Sequence, residues 1–95
     1  MFNFINKNII ITGASKGIGK QLALTFAEYG ANIILLSRDN QKLKSVIDIL
    51  NRNKKNNQLF KYYKLDISIE INVNNVFNKI LNEFKTIDVL INNAG

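Results

Sequence analysis

Four short runs of β-branched and aliphatic residues punctuate this chain, and three stretches with helical spacing separate them. The runs are Lys7–Thr12 (KNIIIT), Asn32–Ser37 (NIILLS), Leu59–Leu65 (LFKYYKL) and Ile87–Ile91 (IDVLI). Their length and bounding polar or glycine residues predict strands, the first two buried on both faces. Between Gly17 and Tyr29, the residues Ile18, Leu22, Phe26 and Tyr29 recur at intervals of four, four and three, which predicts one apolar face of a helix. Gly30 then stands where a left-handed cap would end it. Asp39 is placed to cap a second helix with an apolar stripe of Leu43, Val46, Ile47 and Leu50, followed by a polar loop over Asn51–Asn57. Ser68 is placed to cap a third, carrying Ile69, Val73, Val76, Phe77, Ile80, Leu81 and Phe84. Strict alternation of strand and helix predicts an α/β fold, a doubly wound parallel sheet with right-handed crossovers. The expected strand order is 3-2-1-4, with the first two helices on one face and the third on the other.

Ninety-five residues make one small domain, and neither a repeat, a proline nor an internal linker divides them. The absence of cysteine and histidine removes thiolate and imidazole chemistry, so no metal site is expected. A formal charge of +6 raises the question of nucleic acid or an anionic surface. The lysines are dispersed along the chain, however, without the clustering and exposed aromatics that a nucleic-acid binder requires. Apolar runs of about four residues are far too short to span a bilayer, which takes about 18. The first residues also lack the pattern of a signal peptide. The expectation is a cytoplasmic protein with neither membrane nor nucleic acid as partner.

The stretch ITGASKGIGK places three glycines, Gly13, Gly17 and Gly19, between the first strand and the first helix. Glycine weakens regular structure by roughly 0.5–1 kcal/mol relative to alanine, so such a cluster belongs in a turn or where backbone approaches something closely. A helix N-terminus behind the loop presents unpaired N–H groups and a partial positive charge. In this setting Gly13 permits the sharp turn, Gly17 lets backbone approach a pyrophosphate, and Gly19 allows close packing of helix on sheet. The reading is a phosphate-bearing ligand.

The spacing Thr12-Gly13-x-x-x-Gly17-x-Gly19 closely resembles the cofactor loop of the short-chain dehydrogenases/reductases, and two further motifs match that family in order. Asn92-Asn93-Ala94-Gly95 corresponds to its N-N-A-G motif after the fourth strand, and Asp66 in LDIS to the aspartate that contacts the adenine amino group. The resemblance covers the whole chain but only the N-terminal part of a family domain. It implies a Rossmann-like fold and hydride transfer between a nicotinamide cofactor and a carbonyl or secondary alcohol. It also implies cofactor contacts from Gly13, Ser15, Lys16, Gly17, Ile18, Gly19, Asp66 and Ile67, and a homo-oligomeric parent protein. For Asn92, Ala94 and Gly95 structural and cofactor roles are both open. The family's catalytic Asn, Ser and Y-x-x-x-K lie beyond N-N-A-G. Tyr29, Tyr62 and Tyr63 are followed four positions on by Ile33, Asp66 and Ile67, so no catalytic residue is expected within this chain. The chain is therefore expected to be a partial domain, residues 1–95, binding cofactor at most and inactive alone.

Charge distinguishes the cofactors. A fold of this type that takes NAD usually carries Asp or Glu at the end of the second strand. Here Ser37 and Arg38 stand there, and Lys16 adds a second cation, which favours the 2′-phosphate of NADP over NAD. Asp39 could serve as a ribose acid but is better placed as a helix cap. A 3-oxo or 3-hydroxy acyl compound is the closest substrate by resemblance, and a noncatalytic nucleotide-binding module is the alternative function.

Overall fold

Unbroken Ile and Leu runs leave neither side of a strand compatible with water, and the centre of the sheet is built from them. The computed structural model describes residues 3–55, 57–66 and 68–93. Its elements are β1 (Asn8–Thr12), α1 (Gly17–Glu28), β2 (Asn32–Ser37), α2 (Asn40–Arg52), β3 (Phe60–Lys64), α3 (Glu70–Phe84) and β4 (Val89–Asn92). They form one four-stranded sheet in the order β3-β2-β1-β4, the expected topology. All pairings are parallel: Ile10 lies opposite Ile34 on one side and Leu90 on the other, and Ile34 lies opposite Lys61.

Alternation along the strands divides the core. Ile9, Ile11, Ile33 and Leu35 face α1 and α2, whereas Ile10, Ile34 and Leu36 face α3. Two helices thus cover one face and one the other, as the crossover rule requires. Each fully buried aliphatic side chain contributes roughly 1.5–3 kcal/mol, which makes the central strands the principal source of stability.

The helices lie where expected but correct three details, one being that Ile69 and Leu81 of the expected α3 stripe are 44% and 45% exposed. In α2, Leu43, Val46, Ile47 and Leu50 are all buried, and Asp39 Oδ1 accepts the Lys42 N–H at 3.0 Å. In α1 the buried stripe is instead Gly19, Ala23 and Ala27, while Ile18 and Tyr29 are 70% and 46% exposed. Small side chains let the helix lie close on the sheet, and the larger Leu22 and Phe26 fill its flanks without being fully buried. Ser68 does not cap α3; its groups bond to Asp66, and the first helical residue is Glu70. Gly30 ends α1 in the left-handed region at φ +100°, where its N–H reaches Ala27 O at 3.0 Å. The strand limits also contract: Lys7, Leu59 and Leu65 lie just outside, and Ile87 precedes β4 while packing on the α3 side.

At the N-terminal ends of the strands, a polar ladder crosses the sheet. The Asn8 amide donates to Thr86 O at 2.9 Å and Phe84 O at 3.3 Å, and its backbone N–H donates to Asp88 Oδ2 at 2.8 Å. Asn32 Nδ2 donates to Asn8 Oδ1 at 2.8 Å, and Asn32 Oδ1 accepts the Leu59 N–H at 2.8 Å. One run of side-chain bonds therefore joins the entry points of all four strands. Nearby, Gln58 Nε2 donates to Ala27 O and Ala31 O at 2.8 and 2.7 Å, so this buried amide braces the end of α1.

Candidate functional site

Parallel strands all release their chains at the same end, and in an open sheet the crevice forms where neighbouring connections depart in opposite directions. Here that point lies between β1, whose chain crosses to α1, and β4 on the other side. An open cleft of about 700 Å³ occupies this end. Its lining joins the loop after β1 (Gly13, Ser15, Lys16, Gly17, Ile18), the turn after β2 (Ser37, Arg38) and the segment after β3 (Asp66, Ser68). Residues more than half the chain apart in sequence thus converge because each follows a strand.

The glycines have distinct geometries. Gly13 has φ +63° and turns the chain, while its N–H still donates to Leu36 O at 2.8 Å and prolongs the β1–β2 ladder. Gly17 has φ +61°, and a Cβ built on it would meet nothing within 4 Å. Gly19 is the opposite case: a Cβ there would lie 2.5 Å from Gly13 O and 2.7 Å from Asn93 Nδ2. Gly17 therefore leaves open space beside the cleft, and Gly19 is required by packing beneath the loop. At the helix entrance Lys16 makes no side-chain cap, and the first turn contains no acidic residue. The leading N–H groups and the helix dipole are consequently available to an anion.

At the end of β2, Ser37 Oγ accepts the Asp39 N–H at 3.3 Å and lies 3.4 Å from Ser15 Oγ. This contact ties the turn to the glycine loop. Asp39 is directed into α2, where it accepts the Lys42 N–H and lies 3.8 Å from Lys42 Nζ. Arg38 is exposed and faces Asp66 closely enough to influence its ionisation. The Asp66 carboxyl is held below its ordinary value, first by the Ser68 hydroxyl, then by the Ser68 N–H, with a smaller contribution from Arg38.

Asn92 does not line the cleft. Its Oδ1 accepts the Thr12 hydroxyl at 2.9 Å, and Thr12 Oγ1 accepts the Asn93 N–H at 3.0 Å, so these groups bind the ends of β1 and β4 together. Ile67, Ala94 and Gly95, also expected at the site, lie outside the described residues. Five lining residues were not among those expected at the site: Thr12, Ser68, Asn93 and the buried Leu36 and Leu65. Their common signal is position, at or just past the C-terminal ends of parallel strands, where side chains border the crevice whatever their chemistry.

The fold and this cleft define a parallel α/β protein with an anion-accepting helix entrance at the switch point of its sheet. A family model described as short chain dehydrogenase matches residues 7–95, and the chain belongs to that family. It is 39% identical over 89 residues to retinol dehydrogenase 13 of Homo sapiens, covering 94% of this chain and 27% of that protein. It is 34% identical over 93 residues to the 3-oxoacyl-(acyl-carrier-protein) reductase FabG of Escherichia coli K12, covering 98% and 36%. Among solved structures, a metagenomic short-chain oxidoreductase in complex with NADP superposes with a TM-score of 0.89 at 28% identity, over 97% of this chain and 40% of that one. An NAD+-bound xylitol dehydrogenase superposes with a TM-score of 0.91 at 30% identity, over 99% and 35%. The chain spans about a third of the length of the curated relatives it matches.

Proposed function

We propose that this chain forms the cofactor-holding part of an NADP-dependent oxidoreductase acting on a carbonyl or secondary alcohol. The observation that carries the choice of NADP is the turn after β2. Ser37 and Arg38 border the cleft there, and the adjacent carboxylate of Asp39 is occupied in capping α2. A 2′-phosphate would meet a hydroxyl and a guanidinium, with Lys16 on the facing loop as a second cation. A ribose with a free 2′-hydroxyl would find no carboxylate directed at it from this turn.

The residues present fit a dinucleotide. The open side of Gly17 and the uncapped start of α1 suit a pyrophosphate, and Ser15 adds a hydroxyl. Asp66 lies across the cleft, where a base would be reached. When bound, the nicotinamide would supply or accept the hydride. The chain's own residues bind and orient; none of its tyrosines precedes a lysine by four positions. These 95 residues alone are therefore expected to be inactive in proton transfer. A 3-oxo or 3-hydroxy acyl substrate, a homo-oligomeric assembly and a cytoplasmic location belong to the same reading. Among the described residues no helix is long and apolar enough to cross a membrane. The alternative reading is a noncatalytic nucleotide-binding module.

Titrating the chain with NADPH and NADH, followed by nicotinamide fluorescence, tests the cofactor assignment. Charge-assisted hydrogen bonds contribute about 1.5–3 kcal/mol each, so NADPH should bind at least about tenfold more tightly. The double variant Ser37→Asp, Arg38→Leu should reverse the order. Equal or tighter binding of NADH by the unaltered chain would refute the assignment. Carbonyl reduction by a longer product of the same reading frame would exclude the noncatalytic alternative.

A further inference from the structure

Ser68 has the chemistry of a helix cap but stands one position ahead of Ile69, the residue at the cap of α3, and its side chain makes no cap. Both of its donors converge on one oxygen of Asp66. Its N–H reaches Oδ1 at 3.0 Å, and its hydroxyl donates to the same atom at 2.6 Å. Among the described residues Asp66 Oδ2 accepts no hydrogen bond, and Asp66 lines the cleft beside Ser68. One carboxylate oxygen is thus anchored and the other is left at a fixed orientation.

We propose that Ser68 is a positioning residue that holds Asp66 Oδ2 as an oriented acceptor for a base bearing an exocyclic amino group, and so sets a preference for adenine over hypoxanthine. This rests on the dinucleotide reading above. An ionised carboxylate only accepts hydrogen bonds. Adenine offers it an amino donor, whereas hypoxanthine carries a carbonyl oxygen at the same ring position and would set acceptor against acceptor. Discrimination of this kind depends on the acceptor being unable to turn away, because a freely rotating carboxylate avoids the mismatch by moving into water. Two bonds to Oδ1 remove that freedom. Ser68 is also the principal cause of the lowered ionisation of Asp66, ahead of Arg38 across the cleft, which gives the contact a readout independent of nucleotide binding.

The test compares the chain with its Ser68→Ala and Ser68→Thr variants in two measurements. The first is binding of NADPH and of its hypoxanthine analogue, read by nicotinamide fluorescence. The unaltered chain should prefer the adenine form by about tenfold or more. Ser68→Ala should bring the ratio close to one by weakening NADPH alone, and Ser68→Thr should preserve it. The second is titration of the Asp66 carboxyl by NMR without nucleotide, which should shift upward in Ser68→Ala and remain low in Ser68→Thr. Equal weakening of both nucleotides, or an unchanged ratio in Ser68→Ala, would overturn the proposal and leave Ser68 a turn residue. An unmoved Asp66 titration would overturn it too. If the unaltered chain binds both nucleotides without preference, the role of Ser68 fails while the cofactor site stands. If it binds neither, the dinucleotide reading fails and this proposal with it.

Discussion

Gly17 and Gly19 sit two positions apart in one loop, and an added methyl group should harm them in different ways. At Gly19 it would strike the Gly13 carbonyl at 2.5 Å, a backbone atom that cannot rotate aside. Overpacking of this kind costs about 1–3 kcal/mol, and each kcal/mol shifts the Tm of a domain this size by about 4–8 °C. Gly19→Ala should therefore melt several degrees lower or fail to fold. At Gly17 the methyl group meets nothing, and the cost is the φ of +61°, about 1–2 kcal/mol for an L-residue. Gly17→Ala should therefore also melt several degrees lower, but it should still fold and should lose NADPH affinity beyond what its melt accounts for; parallel melts and titrations would separate the two. Tyr63 offers a spectroscopic check on the other face. Its hydroxyl donates to Glu83 Oε2 at 3.2 Å, and burial, the Glu83 charge and that bond together raise its ionisation above the ordinary value. A phenol raised in the fold contributes stability that is complete below its unfolded value and disappears as pH rises through the folded one. Absorbance titration should show a late tyrosine, and Glu83→Gln should return it toward the others.

Among the elements, legibility followed the size of the side chains. The α2 stripe could be read from spacing because its buried residues are also its large ones. The α1 face was misassigned because Gly19, Ala23 and Ala27 carry little hydrophobic signal, while Ile18 and Tyr29 carry much and remain in solvent. Close approach to a sheet selects for small volume, which a pattern of large apolar residues conceals. The helix starts show the same limit. Asp39 and Ser68 are both good capping residues, but Asp66 lies two positions upstream of Ser68 and captures its hydroxyl. Asn92 of the N-N-A-G motif joins the strand ends and Gly19 packs beneath the loop, but Gly13, Gly17, Ser37, Arg38 and Asp66 of the cleft were legible. Leu36 and Leu65 were not, since their contribution comes from strand ends rather than from chemistry. The asparagine ladder escaped notice altogether, because Asn8 and Asn32 become neighbours only after the sheet forms. Replacing Asn32 by Leu would leave the part-buried Asn8 Oδ1 without its donor, while the exposed Leu59 N–H can turn to water. At about 1–3 kcal/mol for the orphaned oxygen, the variant should unfold at lower denaturant concentration, with the slope of the transition unchanged.

At the scale of the whole molecule, the two faces of the sheet are unequally covered. Both α1 and α2 lie on one, and α3 alone lies on the other, where Leu90 of β4 is 55% exposed. β4 is also an edge strand, with one row of backbone groups free to pair. Edges of this kind template association, and a charge of +6 opposes it only through long-range repulsion. We expect the isolated chain to self-associate through this edge. Leu90→Lys should reduce the associated fraction in sedimentation velocity at a given protein concentration. A strict monomer at that concentration would contradict this expectation. The strand order also has a consequence for biosynthesis. β1 is translated first but takes a central place in the sheet, flanked by β2 and β4. Its β4 neighbour begins at Val89, long after Thr12 has ended β1. At about 5–20 residues per second, the ribosome delivers that partner only about 4–15 seconds later. Throughout that interval a nascent isoleucine strand has one open side, and the asparagine ladder lacks its Asp88 end. A chaperone that shields extended apolar segments would find its binding site on β1 in the interval before β4 emerges.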